Sequence, residues 1–114
     1  MGFHIVHKAT SSRSGRLDQQ LAAGGAVLVE FAERDAPACR LEEPVLSQVL
    51  RRYVDRLHVL QADIEGSPED AAAYGIEAVP TFVLFVDGVE KFRLVGFQSV
   101  DNLTDAIDGV LPAA

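Results

Sequence analysis

The stretch Tyr74–Gly88, YGIEAVPTFVLFVDG, decides how this chain of 114 residues folds. It places an X-Pro bond directly before the apolar run TFVLFV, whose β-branched and aromatic residues are typical of a buried strand. Asp87 and Gly88 then supply the positive φ angles that a type I′ turn requires. The stretch therefore predicts a β-hairpin formed by residues 81–86 and 89–96.

Before this hairpin, strand and helix patterns alternate along the chain. The other predicted strands are FHIVHK at 3–8, AVLVEF at 26–31 and LHVLQADI at 57–64. The predicted helices cover 14–23, 37–56, 67–75 and 99–111. Alternating strands and helices followed by an antiparallel pair predict an α/β fold with a central mixed five-stranded sheet and helices on both faces. We expect residues 1–114 to form one domain.

Prolines and serines set the expected helix boundaries. Pro44 lies well inside the predicted helix 37–56, where it removes a backbone donor and clashes with the preceding turn, so we expect a kink there. Ser14 and Ser67 are expected N-caps, the latter followed by Pro68 at the first helical position.

Composition and charge argue against several classes of binding partner and of cofactor. The net charge of −7 argues against a nucleic acid or an anionic membrane as partner. No window is long and apolar enough to span a bilayer, and the N-terminus lacks the layout of a secretion signal, so we expect a cytoplasmic protein. The histidines His4, His7 and His58 do not repeat at ligand spacing, so neither a metal nor another cofactor is expected.

The chain resembles the thioredoxin family over nearly its whole length. The resemblance rests on VLVEF, on a following helix with a cysteine five residues before Pro44, on YGIEAVPT, and on Gly96 closing the last strand. It implies the thioredoxin fold, and it places the segment Ala36–Cys39, Ala-Pro-Ala-Cys, on the four positions where the family has Cys-Gly-Pro-Cys.

This alignment puts Ala36 in the place of the family's attacking cysteine and leaves Cys39 as the resolving-type thiol. Disulfide reduction needs a thiolate that attacks the target and a second thiol that releases the mixed disulfide, so the usual cycle cannot run. The resemblance also matches Glu30 to the family's buried acid, which makes Cys39 and Glu30 the candidate catalytic residues. Asp35 replaces the family's tryptophan and is expected to oppose a thiolate or to cap the helix.

The resemblance further implies a cis bond between Val79 and Pro80 in a loop that pairs with an extended peptide. We use the term groove for the six residues that would form this binding surface: Ala36, Pro37, Val79, Pro80, Gly96 and Phe97. The expected function is non-covalent binding of a peptide or protein partner, as in a chaperone-like module, by a monomer or weak dimer.

Three other roles for Cys39 stay open from the sequence. It could serve a monothiol oxidoreductase or redox sensor that exchanges with glutathione or a partner thiol, it could link two chains, or it could be a small buried residue. The helix N-terminus lowers a thiol pKa, whereas nearby carboxylates raise it. We expect Glu30 to be protonated, paired or hydrated, and the pairs Glu42-Glu43 and Arg51-Arg52 to form a solvated helix face.

Overall fold

Five helices and four strands follow one another along residues 16–111, the part of the chain that the computed structural model describes. The helices are α1 (Arg16–Ala22), α2 (Pro37–Leu41), α3 (Glu43–Arg52), α4 (Pro68–Ala73) and α5 (Val100–Asp108). The strands are β1 (Ala26–Ala32), β2 (His58–Asp63), β3 (Thr81–Val86) and β4 (Val89–Val95). The predicted strand at 3–8 and the predicted N-cap Ser14 lie outside the described residues.

The four strands form one mixed sheet in the order β2-β1-β3-β4. The crossover through α2 and α3 makes β2 parallel to β1, with Val29 opposite Leu60. Strand β3 runs antiparallel to β1 and to β4. The mixed sheet is confirmed, but the predicted five strands are not, because the described sheet has four and the fifth would be residues 3–8.

The hairpin of β3 and β4 has the turn that its sequence predicts. Asp87 and Gly88 have φ angles of 52° and 82°, as a type I′ turn requires. Asp87 also fixes the turn against the start of β1, because the Gly25 N–H donates to Asp87 Oδ1 at 2.8 Å. The hairpin is therefore anchored at the sheet end opposite the loop that carries Pro80.

Alternation along β1 divides the interior into two cores. Leu28 and its neighbours pack against the inner faces of α3 and α5, whereas Val27, Val29 and Phe31 pack against α1. Successive side chains of a strand point to opposite faces, so one fully buried strand serves both layers. Helices on both faces, as predicted, follow from this pattern.

The predicted helix 37–56 is split and ends earlier than predicted. It breaks at Glu42, because Pro44 in the first turn of α3 has no N–H to continue the ladder from α2. It ends at Arg52, because Tyr53 leaves helical geometry and Asp55 has a φ of 69°. The kink is confirmed, and the predicted end at residue 56 is wrong.

Two further helix predictions are wrong in detail. The three-four spacing of apolar residues in 37–56 predicts that Leu41 and Val54 lie on the apolar face of the helix, but these residues are 64% and 57% exposed. Ser67 occupies the N-cap position of α4 without the expected side-chain capping bond.

Within residues 16–111 no helix combines the length and apolar content needed to cross a membrane.

Candidate functional site at Cys39 and the Val79–Pro80 loop

Cys39 lies on the inner side of the short helix α2. The helix begins after Ala36, which is its N-cap in extended conformation, and Pro37 is its first residue. This geometry turns Cys39 inward, where it is 3% exposed and receives the Glu33 N–H at 3.5 Å. Asp35 does not cap α2. The N-cap residue of this helix is Ala36, and no side chain makes a capping hydrogen bond there.

The environment of Cys39 disfavours a thiolate. Burial is the largest cause that raises the pKa of this thiol above its ordinary 9.0, and the carboxyl groups of Glu30, Glu33 and Glu42 raise it further. The Glu33 N–H opposes them without reversing the shift. Asp35, which we expected to oppose the thiolate, is not among these groups. Cys39 is therefore a protonated, buried thiol near neutral pH.

Glu30 is a fully buried acid on β1. Its Oε1 accepts a hydrogen bond from Gln61 Nε2 at 3.0 Å, and its Oε2 has no hydrogen-bond partner among the described residues. Burial raises its pKa to about 8, an effect that the Gln61 bond only partly offsets. The sequence left open whether Glu30 is protonated, paired with a cation or hydrated. With a pKa of about 8, the protonated state is the one that fits neutral pH.

Glu42 is a second fully buried acid, and the prediction that it lies on a solvated helix face is wrong. Its Oε2 accepts the backbone N–H of Gln98, while its Oε1 is buried without a hydrogen-bond partner in the described part of the chain. Burial raises its pKa to about 7 against the opposing effect of the Gln98 bond. The sequence contained a signal for this position, since Glu42 precedes the buried residues Val45, Leu46 and Val49 by three, four and seven residues.

The Val79–Pro80 loop precedes β3 and contains a cis peptide bond between these two residues. Pro80 is buried, and its carbonyl oxygen accepts the Gly96 N–H at 2.8 Å. Thr81 Oγ1 donates to the Ala78 carbonyl at 2.6 Å and braces the loop from inside. No hydrogen bond within residues 16–111 engages the backbone N–H or C=O of Val79. Within the described residues, the loop therefore leaves one residue of unpaired backbone directly before Pro80.

The loop after β4 lies next to Pro80. Gly96 has a φ of 92°, a conformation that favours glycine, and the chain turns there so that Phe97 is left 50% exposed. Gln98 braces the turn, because its Nε2 donates to the carbonyl oxygens of Val95 and Gly96, each at 3.2 Å. The ring of Phe97 is thus presented from a well-bonded loop.

These contacts bring together only part of the predicted site. Pro80 and Gly96 are joined directly, and Glu42 joins the residue that follows Phe97. Ala36 is half-buried and Pro37 is exposed at the start of α2, and no hydrogen bond in the described chain links them to the other groove residues.

The described residues do not contain a metal-binding cluster. Within 16–111 no group of three or more His, Cys, Asp or Glu side chains is placed to hold a metal ion. His58 is exposed on β2, and His4 and His7 lie outside the described residues.

Comparison with known proteins identifies the family. The thioredoxin family model matches residues 8–109 of this chain. Thioredoxin from Staphylococcus aureus is 32% identical over 84 residues, which cover 74% of this chain and 81% of that protein.

Solved structures agree with this match. A mutant thioredoxin from Halobacterium salinarum superposes with a TM-score of 0.78 at 27% identity, covering 93% of this chain and 96% of that one. Mitochondrial thioredoxin 3 from Saccharomyces cerevisiae, at 20% identity, shares the fold with a TM-score of 0.79 over 86% of this chain and 91% of its own. The chain therefore belongs to the thioredoxin family.

Proposed function

We propose that this protein binds an extended segment of another protein non-covalently in the groove, without disulfide chemistry. The observation that carries the proposal is the backbone of Val79, which has no hydrogen-bond partner within residues 16–111. The next residue, Pro80, accepts the N–H of Gly96, which directly precedes the half-exposed Phe97. An extended peptide that pairs with free backbone groups gains affinity from hydrogen bonds and specificity from side-chain contacts. The groove offers both kinds of contact.

The absence of a second thiol supports binding over catalysis. The chain has one cysteine, so no dithiol can form within it. The resemblance to the family implies that Ala36 takes the position of the attacking cysteine. Cys39 itself is 3% exposed and has a raised pKa. A buried, protonated thiol is a poor nucleophile, because the thiolate is the attacking species.

The exposed apolar side chains near the groove support a peptide ligand. Phe97 is 50% exposed and Leu41 is 64% exposed. They directly precede Gln98 and Glu42 in the chain, and a hydrogen bond joins those two residues. Exposed apolar groups that form a patch mark interaction surfaces, and we propose that Phe97 and Leu41 contribute to one such patch. With a net charge of −7, the protein is suited to a segment that combines apolar and basic residues.

A monothiol oxidoreductase or redox sensor is the second candidate function. The observation in its favour is the Glu33 N–H directed at Cys39 Sγ, because this contact stabilises a thiolate. Attack on the disulfide of oxidised glutathione or of a partner, with release of the other sulfur as a thiolate, would require the fold to open, since Cys39 is buried. A ligand without sulfur separates the two functions, because it can bind to the groove but cannot exchange with Cys39.

A thiol-free peptide tests the proposal. We would titrate ¹⁵N-labelled protein with an acetylated, amidated ten-residue peptide of alternating valine and lysine, and we expect the amides of Val79, Gly96 and Phe97 to shift. Phe97→Ala should weaken binding, whereas Val89→Ala should not, because Val89 is equally apolar and 57% exposed but lies at the turn end of β4. A peptide in which glutamate replaces lysine should bind more weakly.

Two results would overturn the proposal. One is the absence of shifts at these three amides at millimolar peptide, and the other is equal loss of binding in Phe97→Ala and Val89→Ala.

A further inference from the structure

A continuous path of hydrogen bonds crosses the loop that presents Phe97. The Gly96 N–H donates to the Pro80 carbonyl at 2.8 Å, and Gln98 Nε2 donates to the Gly96 carbonyl at 3.2 Å. The Gln98 N–H then donates to Glu42 at the junction of α2 and α3. The loop 96–98 is therefore fixed to the Pro80 side at one end and to the α2–α3 junction at the other.

Glu42 is the only ionisable member of this path. Its carboxyl group is fully buried, with one oxygen on the Gln98 N–H and the other without a hydrogen-bond partner in the described residues. A hydrogen bond to an ionised acceptor is about twice as strong as one to a neutral acceptor. The strength of the Glu42–Gln98 contact therefore depends on the charge of Glu42.

Linkage gives the direction of this dependence. The Gln98 bond lowers the pKa of Glu42, so ionisation of Glu42 must strengthen the Gln98 bond by the same free energy. Burial acts in the opposite sense and raises the pKa to about 7. Both protonation states are consequently populated near neutral pH.

We propose that Glu42 is a protonation-sensitive positioning residue for the groove, whose carboxylate holds Gln98 and the loop 96–98 in place and whose neutral acid releases them. The effect on ligand binding rests on the function proposed above, because Phe97 belongs to this loop. Release of Gln98 changes the position of Phe97 relative to Leu41. Ligand affinity should then be higher above neutral pH than below it.

The other titratable groups at this corner are Glu30 on β1, Glu33 after β1, Cys39 on α2 and Glu43 on α3. Glu42 and Glu43 raise the pKa of Glu30, and Glu30 and Glu42 raise that of Cys39. These effects arise because an ionised neighbour disfavours a second negative charge on Glu30 or Cys39. The transition of Glu42 is therefore expected below that of Glu30, whose pKa is raised to about 8.

Titration of the free protein tests the proposal without any peptide. In ¹H–¹⁵N spectra between pH 5 and pH 9, the Gln98 amide proton should move downfield as Glu42 ionises, with a midpoint near the raised pKa of about 7. Gly96 and Phe97 should follow the same midpoint. Glu42→Gln keeps the size and the acceptor oxygen but should abolish this transition. Glu43→Gln, the same substitution at the exposed neighbouring carboxylate, should preserve it.

The carboxyl ¹³C resonance of Glu42 in the unmutated protein provides a second measurement that does not depend on a variant folding. A Gln98 amide that is unresponsive to pH, or that titrates unchanged in Glu42→Gln, would overturn the proposal. The proposal would also be overturned if the ¹³C titration of the Glu42 carboxyl and the titration of the Gln98 amide had different midpoints. Because no ligand is present, these failures are distinguishable from a failure of peptide binding.

Discussion

The two sides of the candidate site differ in what they leave accessible. On one side, the thiol of Cys39 is 3% exposed, protonated and surrounded by carboxyl groups. On the other side, Phe97 is 50% exposed and the backbone of Val79 has no hydrogen-bond partner within residues 16–111. The comparison teaches that in this thioredoxin-family chain the accessible part of the candidate site is the Val79–Pro80 loop and Phe97, whereas the thiol is shielded from reaction.

The two sides also differ in electrostatic cost. The Cys39 side buries two acids, Glu30 and Glu42, each with one oxygen that has no hydrogen-bond partner among the described residues. Burying an ionised carboxylate is expensive, so burial raises the pKa of both groups. Perturbed acids concentrate at functional sites, and here they add to the effect of burial, which is the main cause that keeps the Cys39 thiol neutral. The Cys39 side is thus arranged against ionisation rather than toward nucleophilic attack.

The largest expected effect is a gain of disulfide-reducing activity when a second thiol is introduced next to Cys39. Ala36→Cys should form an internal disulfide with Cys39, because positions three apart at the start of a helix place the two side chains close enough to bridge. The variant should then reduce a standard disulfide substrate with dithiothreitol as recycling reductant, whereas the natural chain should not. Ala36→Ser is the matched control, with a hydroxyl in place of the thiol. A variant that does not oxidise would show that the start of α2 has a different geometry.

The next effect is protection of the natural thiol. In the native protein, Cys39 should react with an alkylating reagent only when the fold opens, so its rate should fall well below that of the unfolded chain. The measurement compares alkylation of Cys39 in buffer and in denaturant at the same pH, with glutathione as reference for the reagent. Equal rates in both states would contradict the burial of Cys39 and would favour the monothiol function.

A smaller effect is the pH dependence of stability. The pKa of Glu30 is raised from 4.5 to about 8, so the folded chain holds this proton more tightly than the unfolded chain. Protonated Glu30 therefore stabilises the folded chain, and this contribution is complete below the pKa that Glu30 has in the unfolded chain. It is lost as the pH rises through about 8, and the free energy of unfolding falls by roughly 1.4 kcal/mol per pH unit for one such group. Denaturant unfolding from pH 5 to pH 9 should show this decline, and Glu30→Gln should reduce it. Stability that rises over this range would contradict the assignment.

The smallest effect concerns the two helix starts near the site. Asp35→Ala should change the free energy of unfolding by no more than about 0.5 kcal/mol, because Asp35 is exposed and does not cap α2. Ser99→Ala should cost about 1 kcal/mol, since Ser99 Oγ accepts the Asn102 N–H at 3.0 Å and caps α5. Denaturant unfolding of both variants checks the difference. A larger loss for Asp35→Ala would show that the entry to α2 does depend on this side chain.

Much of the fold could be predicted because its signals are local. The apolar runs of β1 and β3 and the Asp87-Gly88 turn each depend on a few neighbouring residues, and the structure agrees with all three. The end of α3 could not be placed as well. Its termination depends on the backbone of Tyr53 and Asp55, which the helical spacing of apolar residues does not reveal.

The candidate site was less predictable, because its important contacts join residues that are distant in sequence. Residue type predicts that Glu42 lies at the surface, although its spacing from Val49 is that of the buried face of the helix. Its partner Gln98 is 56 residues away, and no local pattern indicates that contact. By contrast, the proximity of Pro80 and Gly96 was implied by resemblance to the family, and their hydrogen bond agrees with that expectation.

The central claim is that recognition of a protein segment does not require the thiol. The most direct test measures the affinity of the valine–lysine peptide for the natural chain and for Cys39→Ser, with thermal unfolding as the check on folding. The account predicts dissociation constants that agree within about twofold. A loss of about tenfold or more in Cys39→Ser, equivalent to about 1.4 kcal/mol, would contradict it.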